Sequence, residues 1–191
     1  GPLLYVKYDT DTPVTVPARR NISEYYRGWD LTVTGSAGKR NLDLELQGEE
    51  VQKYANKSYF IGNLTVGMGR RFSYKNRYVF GLDLGYDESV GDLTVINGIQ
   101  NGENTTASTW DKFELAVFGG YELVAHRTHL VIHLGYKIFY KDLPNRLPEF
   151  YQRLGVKQFF YKDWFAGLNV RFHELGSADN LEWTIGYKGN L

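Results

Sequence analysis

The chain has 191 residues, enough for one domain with a full core. Its 22 basic residues balance 22 acidic ones to a formal net charge of zero. That balance argues against a nucleic-acid binder, which needs a basic surplus to displace counterions. The absence of cysteine excludes a disulfide framework, a thiolate metal site and a Cys nucleophile. Aromatics at 16%, with 21 Gly and a single Met, point to an all-β chain, because aromatics suit strands and glycine suits turns and tight barrel interiors. Mean hydropathy is −0.41, as in a water-soluble protein. Membrane barrels give the same average, since lipid-facing residues alternate with polar ones. No stretch approaches the ~20 apolar residues of a spanning helix.

In chain order, Gly1-Pro2 opens directly onto Leu3-Leu4-Tyr5 with no secretory leader pattern. A processed form is expected, with Gly-Pro either native or a protease scar. Residues 1–27 read as an N-terminal segment, extended or an extra strand, ahead of a barrel over 28–191. Segments 29–35 and 42–47 read as one long bulged strand, for eight strands in all. Alternatively Ser36 to Lys39 is a turn and 3–8 a further strand, giving ten. Beyond them, strands are expected at 58–74, 77–88, 110–124, 128–140, 150–161, 164–175 and 180–188.

Period-two alternation carries these assignments. Tyr78, Phe80, Leu82, Leu84 and Tyr86 oppose Val79, Gly81, Asp83, Gly85 and Asp87. Trp164, Ala166, Leu168, Val170 and Phe172 oppose Phe165, Gly167, Asn169, Arg171 and then His173. One face is large and apolar, while the other mixes glycine with charge. Small side chains and paired ions fill a narrow lumen, and apolar residues face hydrocarbon. The expected fold is therefore an antiparallel up-and-down transmembrane β-barrel, with a soluble barrel or sandwich as the alternative. The links alternate short (75–76, 125–127, 162–163) and long (48–57, 89–109, 141–149), with 176–179 intermediate. Short periplasmic turns and longer outer loops are the habit of outer-membrane barrels. This places the long loops outside the cell and the termini in the periplasm. Tyr74, Tyr140, Tyr151, Trp110, Trp164 and Trp183 are expected in interfacial girdles.

Candidate chemistry is sparse. His126 and His129 read as residues of a solvated turn, and His133 shares a lumen face with Lys137. His129 and His133 have no carboxylate close in sequence, so a metal site is weakly supported. Asp83, Asp87 and Glu88 could hold a cation, or pair in the lumen with Arg71, Lys137 or Arg171. His173 ends one strand and Glu182 begins the next, with Ser177 and Asp179 between them. A serine, a histidine and an acid together make an activated nucleophile, in which histidine takes the hydroxyl proton and the carboxylate steadies the imidazolium. Parity also puts both His173 and Glu182 in the lumen, where ion pairing accounts for them without catalysis. No cofactor and no metal are called for.

The segments Phe165 to His173 (Phe-Ala-Gly-Leu-Asn-Val-Arg-Phe-His) and Ala178 to Tyr187 (Ala-Asp-Asn-Leu-Glu-Trp-Thr-Ile-Gly-Tyr) resemble Bacteroidetes barrels grouped with the lipid A 3-O-deacylase (acyloxyacyl hydrolase) family. Gly81 to Ser89 and Gly120 to Val124 are similar to its earlier strands. The resemblance covers roughly residues 58 to 188. It implies an eight-stranded outer-membrane barrel of a Gram-negative cell, in contact with lipopolysaccharide. It also implies removal of an ester-linked acyl chain by His, Ser and Glu, with His173 and Glu182 as the matching residues. The family serine lies two residues after the histidine. Here that position is Leu175, and Ser177 stands four residues on. Three classes of function are open: a lipid A esterase using His173, Glu182 and Ser177, a non-catalytic scaffold or subunit of a larger outer-membrane complex, and a small pore. The pore is the weakest, because side chains fill a barrel of eight strands.

Overall fold

The computed structural model describes residues 27–41, 54, 57–144, 147–173 and 178–191. Eight strands appear, each with the period-two alternation that a two-faced wall requires. They are β1 (Trp29–Asn41), β2 (Ser58–Arg71), β3 (Asn76–Asp87), β4 (Phe113–Ala125), β5 (Thr128–Phe139), β6 (Phe150–Tyr161), β7 (Trp164–Phe172) and β8 (Ala178–Asn190). Each pairs antiparallel with its chain neighbour, and β8 pairs with β1 to close the barrel. Closure leaves no free sheet edge, which a strand crossing hydrocarbon requires. Lengths of 9 to 14 residues suffice for a tilted crossing. No described helix is long and apolar enough to cross a membrane.

β1 decides the strand count. Ser36 to Lys39 is continuous strand, paired with β2 and β8 along its length, so the barrel has eight strands and the turn of the ten-stranded alternative is absent. Segments 3–8 and 42–47 lie outside the described residues.

The wall is inverted relative to a water-soluble barrel. Outward positions carry Val33, Leu64, Phe80, Leu82, Ile132 and Leu134, all well exposed. Inward positions carry Asp30, Arg77, Asp83, Glu122, Arg153 and Glu182, all buried. An exposed apolar surface of this extent is stable only against lipid. Aromatics ring both ends. Phe72 stacks on Tyr78 at 4.1 Å and Trp164 meets Tyr187 at 5.4 Å near the short turns. Tyr86, Phe113 and Trp110 cluster at the opposite end. Tyr151 does not join a girdle. It points inward, because the period-two register of β6 puts it beside Arg153 on the lumen side, and it is 1% exposed.

The tight turns at 126–127 and 162–163 begin with His126 (φ 60°) and Lys162 (φ 44°). A positive φ at the first turn residue matches the twist of the flanking strands. The long link after β3 is not a plain loop, as its length suggested. Residues Ser89–Asn101 form a helix, α1, stopped by Gly102 at φ 72° with back-bonds to Gly98 and Ile99. Val90 and Leu93 of α1 pack with Tyr59 and Leu143, forming a small apolar core at the long-loop end. Its apolar residues are interleaved with Gly91, Asp92 and Asn97, which hid the helical period.

Candidate functional site

Inward-facing charges settle into three layers along the lumen. Nearest the short turns, Glu122 of β4 is 1% exposed. Arg77 Nη1 lies 2.6 Å from it, Lys157 Nζ 2.7 Å, and His129 Nδ1 2.9 Å. Arg77 also donates from Nε to Asp30 at 3.1 Å and from Nη2 to Thr32 at 3.0 Å. Gly69 makes room for that arginine, since a Cβ there would coincide with the guanidinium. His129 is therefore a buried partner of Glu122, not a solvated turn residue. Its strand begins at Thr128, which turns the second residue inward. The carboxylate that faces it lies seven residues earlier, across the hairpin. His133 stacks on Phe118 at 4.8 Å and sits 4.0 Å from Glu122, with neither ring nitrogen hydrogen bonded.

The middle layer is built on Asp83, Glu182 and Glu114. Asp83 accepts from Thr65 and Tyr151 and lies 3.0 Å from Arg153 Nη1. Gly135 clears the space that the Tyr151 ring occupies. Glu182 is fully buried. It accepts from Asn63 Nδ2 at 3.1 Å and has Arg153 Nε at 3.1 Å and Arg171 Nη2 at 3.0 Å. These two contacts are ion pairs whose alignment falls short of a hydrogen bond. Glu114 faces Lys137 at 3.1 Å and Arg171 at 3.4 Å.

The third layer lies toward the long loops. Arg40 bridges Asp87 at 2.8 Å and Asp179 at 3.1 Å, and Asp87 also accepts from Ser89. Asp83 and Asp87 are thus paired, but with Arg153 and Arg40 rather than with Arg71, Lys137 or Arg171. Across-barrel register chooses the partner, and one strand's alternation does not contain it. Glu88 turns to the Phe60 amide at 2.9 Å. Among the described residues no three His, Asp or Glu side chains group as metal ligands would.

His173 follows β7 directly and continues its inward parity. It is 4% exposed, its Nδ1 lies 3.6 Å from Asp179 Oδ2, and neither nitrogen is hydrogen bonded. Burial, aided by the cations Lys137, Arg171 and Arg40, pushes its pKa down to about 2, so the ring is neutral. The acid beside His173 is Asp179, which belongs to β8 rather than to the preceding link. Glu182 sits one layer deeper, opposite Asn169, among arginines. Ser177 and Leu175 lie outside the described residues. Sequence reading missed the Glu122 cluster and Arg40. Alternation along β4 puts Glu122 on the face that carries glycine and charge, but one strand's alternation does not show that Arg77, Lys157 and His129 converge on it. Arg40 lay in the stretch where the strand count was open.

Packed layers leave little free lumen. The central gap between Glu122, His133, Arg153 and Thr184 has a volume of about 40 Å³, room for a few waters.

A family model described as "Acyloxyacyl hydrolase, C-terminal domain" matches residues 27–191. No curated protein matches the chain. Among solved structures, a de novo designed transmembrane β-barrel matches with 10% identity and a TM-score of 0.47, covering 86% of this chain and 98% of that one. Neisserial surface protein A matches with 10% identity and a TM-score of 0.38, covering 86% and 97%. Ail, the attachment invasion locus protein of Yersinia pestis, solved with the heparin analogue sucrose octasulfate, matches with 12% identity and a TM-score of 0.39, covering 86% and 99%.

Proposed function

This chain belongs to the acyloxyacyl hydrolase family through its C-terminal-domain model, and we propose that it is an outer-membrane barrel that keeps the family fold without hydrolysing lipid A. Its role is that of a lipopolysaccharide-embedded scaffold, or of a subunit that meets other outer-membrane proteins. The observation that carries this reading is the setting of Glu182. It is fully buried between Arg153 and Arg171, and the acid beside His173 is Asp179. A carboxylate engaged by two cations is a poor partner for a developing imidazolium. Leu175, at the family serine position, has no hydroxyl to activate. Orientation follows the links: short turns and the C-terminus toward the periplasm, long links and α1 toward the cell exterior.

The esterase reading, with His173, Glu182 and Ser177 as catalytic residues, keeps one observation in its favour. His173 is neutral and within 3.6 Å of Asp179, so a base and an acid do meet at the long-loop end.

Mass spectrometry of lipid A from cells expressing the chain separates the two. The scaffold reading expects lipid A identical to that of cells lacking it. Loss of one acyl chain that disappears with His173→Ala would overturn it and make Ser177→Ala the next variant.

A further inference from the structure

The outward face of β1 breaks the large-residue pattern of the belt. Its outward column runs Trp29, Leu31, Val33, Gly35, Ala37 and Lys39. Ala37 is level with Gly62 on β2 and with Trp183 on β8. Gly35 is level with Leu64 and Ile185. With three small residues side by side, the wall sinks into an apolar groove of about 510 Å³, bounded by Trp183 and Ile185 on the β8 side. On the β2 side the Phe60 ring leans over Gly62, where a Cβ would meet it at 3.1 Å, and Leu64 stands half exposed beside it.

Lys39 lies at the long-loop end of this groove, two residues beyond Ala37 on the same outward column, and is exposed. Among the described residues it makes no ion pair. Its height is fixed by β1 itself. Ten residues from Trp29 at about 3.3 Å each, tilted as barrel strands are, rise about 25 Å, the height of an outer-membrane apolar band. Trp29, with Arg70 over its ring, marks one interface. Lys39 then marks the other, and the groove lies in hydrocarbon just beneath it. An apolar channel ending in an outward cation has the polarity of one lipid molecule, with its chain along the wall and its anionic headgroup at the amine.

We propose that the β8–β1–β2 face holds one phosphate-bearing lipid of the long-loop leaflet, an acyl chain lying over Gly35 and Ala37 between Trp183 and the Phe60 ring and the phosphate meeting Lys39. This rests on the membrane reading of the barrel given above, and not on whether lipid A is hydrolysed. The groove is also separate from His173, which points into the lumen.

The test is native mass spectrometry of the full chain in detergent, with phosphatidylglycerol and phosphatidylcholine as probes. The wild-type barrel retains one phosphatidylglycerol in preference to phosphatidylcholine. A Cβ at Gly35 meets nothing within 4 Å, so Gly35→Leu fills the groove without disturbing the wall. Retention is then lost, since the acyl chain no longer enters a preformed apolar site. Lys39→Gln keeps a bound lipid but loses the preference for phosphatidylglycerol. Gel mobility before boiling reports folding of each variant. A folded Gly35→Leu barrel with undiminished lipid overturns the proposal. So does a wild-type dimer that Gly35→Leu turns into a monomer, which would assign the groove to a second copy. A wild-type chain that shows only unfolded mobility in detergent overturns the membrane reading itself.

Discussion

Two buried glutamates in the same lumen are each held by two cations, and they differ in their histidine. Glu122, toward the short turns, has Arg77, Lys157 and His129 within 2.9 Å, and its histidine is hydrogen bonded. Glu182, a layer higher, has two arginines and Asn63, while His173 above it turns to Asp179 and makes no hydrogen bond. A histidine beside an acid is thus a packing device in one place and an underused pair in the other. Proximity of these residue types does not make a catalytic centre; access, a nucleophile and a free carboxylate do.

Glu122→Ala sharpens this contrast most. It leaves Arg77 and Lys157 buried without their shared partner, a loss of about 3–5 kcal/mol. Urea unfolding of the barrel in micelles, read by gel mobility, checks it. A loss under about 1 kcal/mol would mean that water reaches this layer. Glu182→Gln is expected to cost less, about 2 kcal/mol, because Asn63 can still donate to the amide oxygen and Arg171 keeps Glu114. Equal losses for the two variants would erase the distinction between the layers.

The histidines come next. His129→Ala removes a hydrogen bond to a charged group and costs about 1.5–3 kcal/mol. His173→Ala removes no hydrogen bond and is expected within about 1 kcal/mol of wild type. A larger loss for His173→Ala in the same urea titration would show that its contact with Asp179 supports the upper lumen.

Much of this architecture was legible in the sequence, for a physical reason. A barrel wall has two faces and period two, so Phe80 against Asp83 or Leu168 against Arg171 already states which side is lipid and which is lumen. What alternation cannot carry is which inward residue meets which across the barrel. Asp87 meeting Arg40 and Asp83 meeting Arg153 depend on register summed over several strands. Tyr151 was misplaced in a girdle because a tyrosine near a strand end has the same composition whether it faces in or out. Glycine opposite it, at Gly135, was the available sign. Helix α1 escaped because its apolar residues are few and it serves a local core with Tyr59 and Leu143. At the candidate site, His173 was placed in the lumen by parity alone, whereas the arginine environment of Glu182 needed the closed barrel.

The smallest expected effect belongs to the outer links. Lys141 lies 2.6 Å from Asp111, and Tyr140 donates to Glu149. The Lys141 hydrogen bond holds Asp111 below its ordinary 3.8, and the Tyr140 hydrogen bond holds Glu149 below its ordinary 4.5. Tyr140 is pushed up to about 12 by the same contact. With folded carboxyl pKa values depressed, the tethers are complete above these ordinary values and are lost as pH falls through the lower folded ones. Both sites are half-buried in the outer links and away from the lumen layers, so the links loosen in acid while the barrel stays closed. Hydrogen exchange at 140–144, compared between pH 7 and pH 3 after correction for intrinsic rates, reads this. Unchanged protection would remove the tethers from the account.

The most direct measurement is release of free fatty acid from lipid A by the purified, folded barrel, run beside His173→Ala. The account predicts no release above the no-protein control from either protein. Release by the wild type that His173→Ala abolishes would contradict it and establish the long-loop end of the lumen as a working esterase centre.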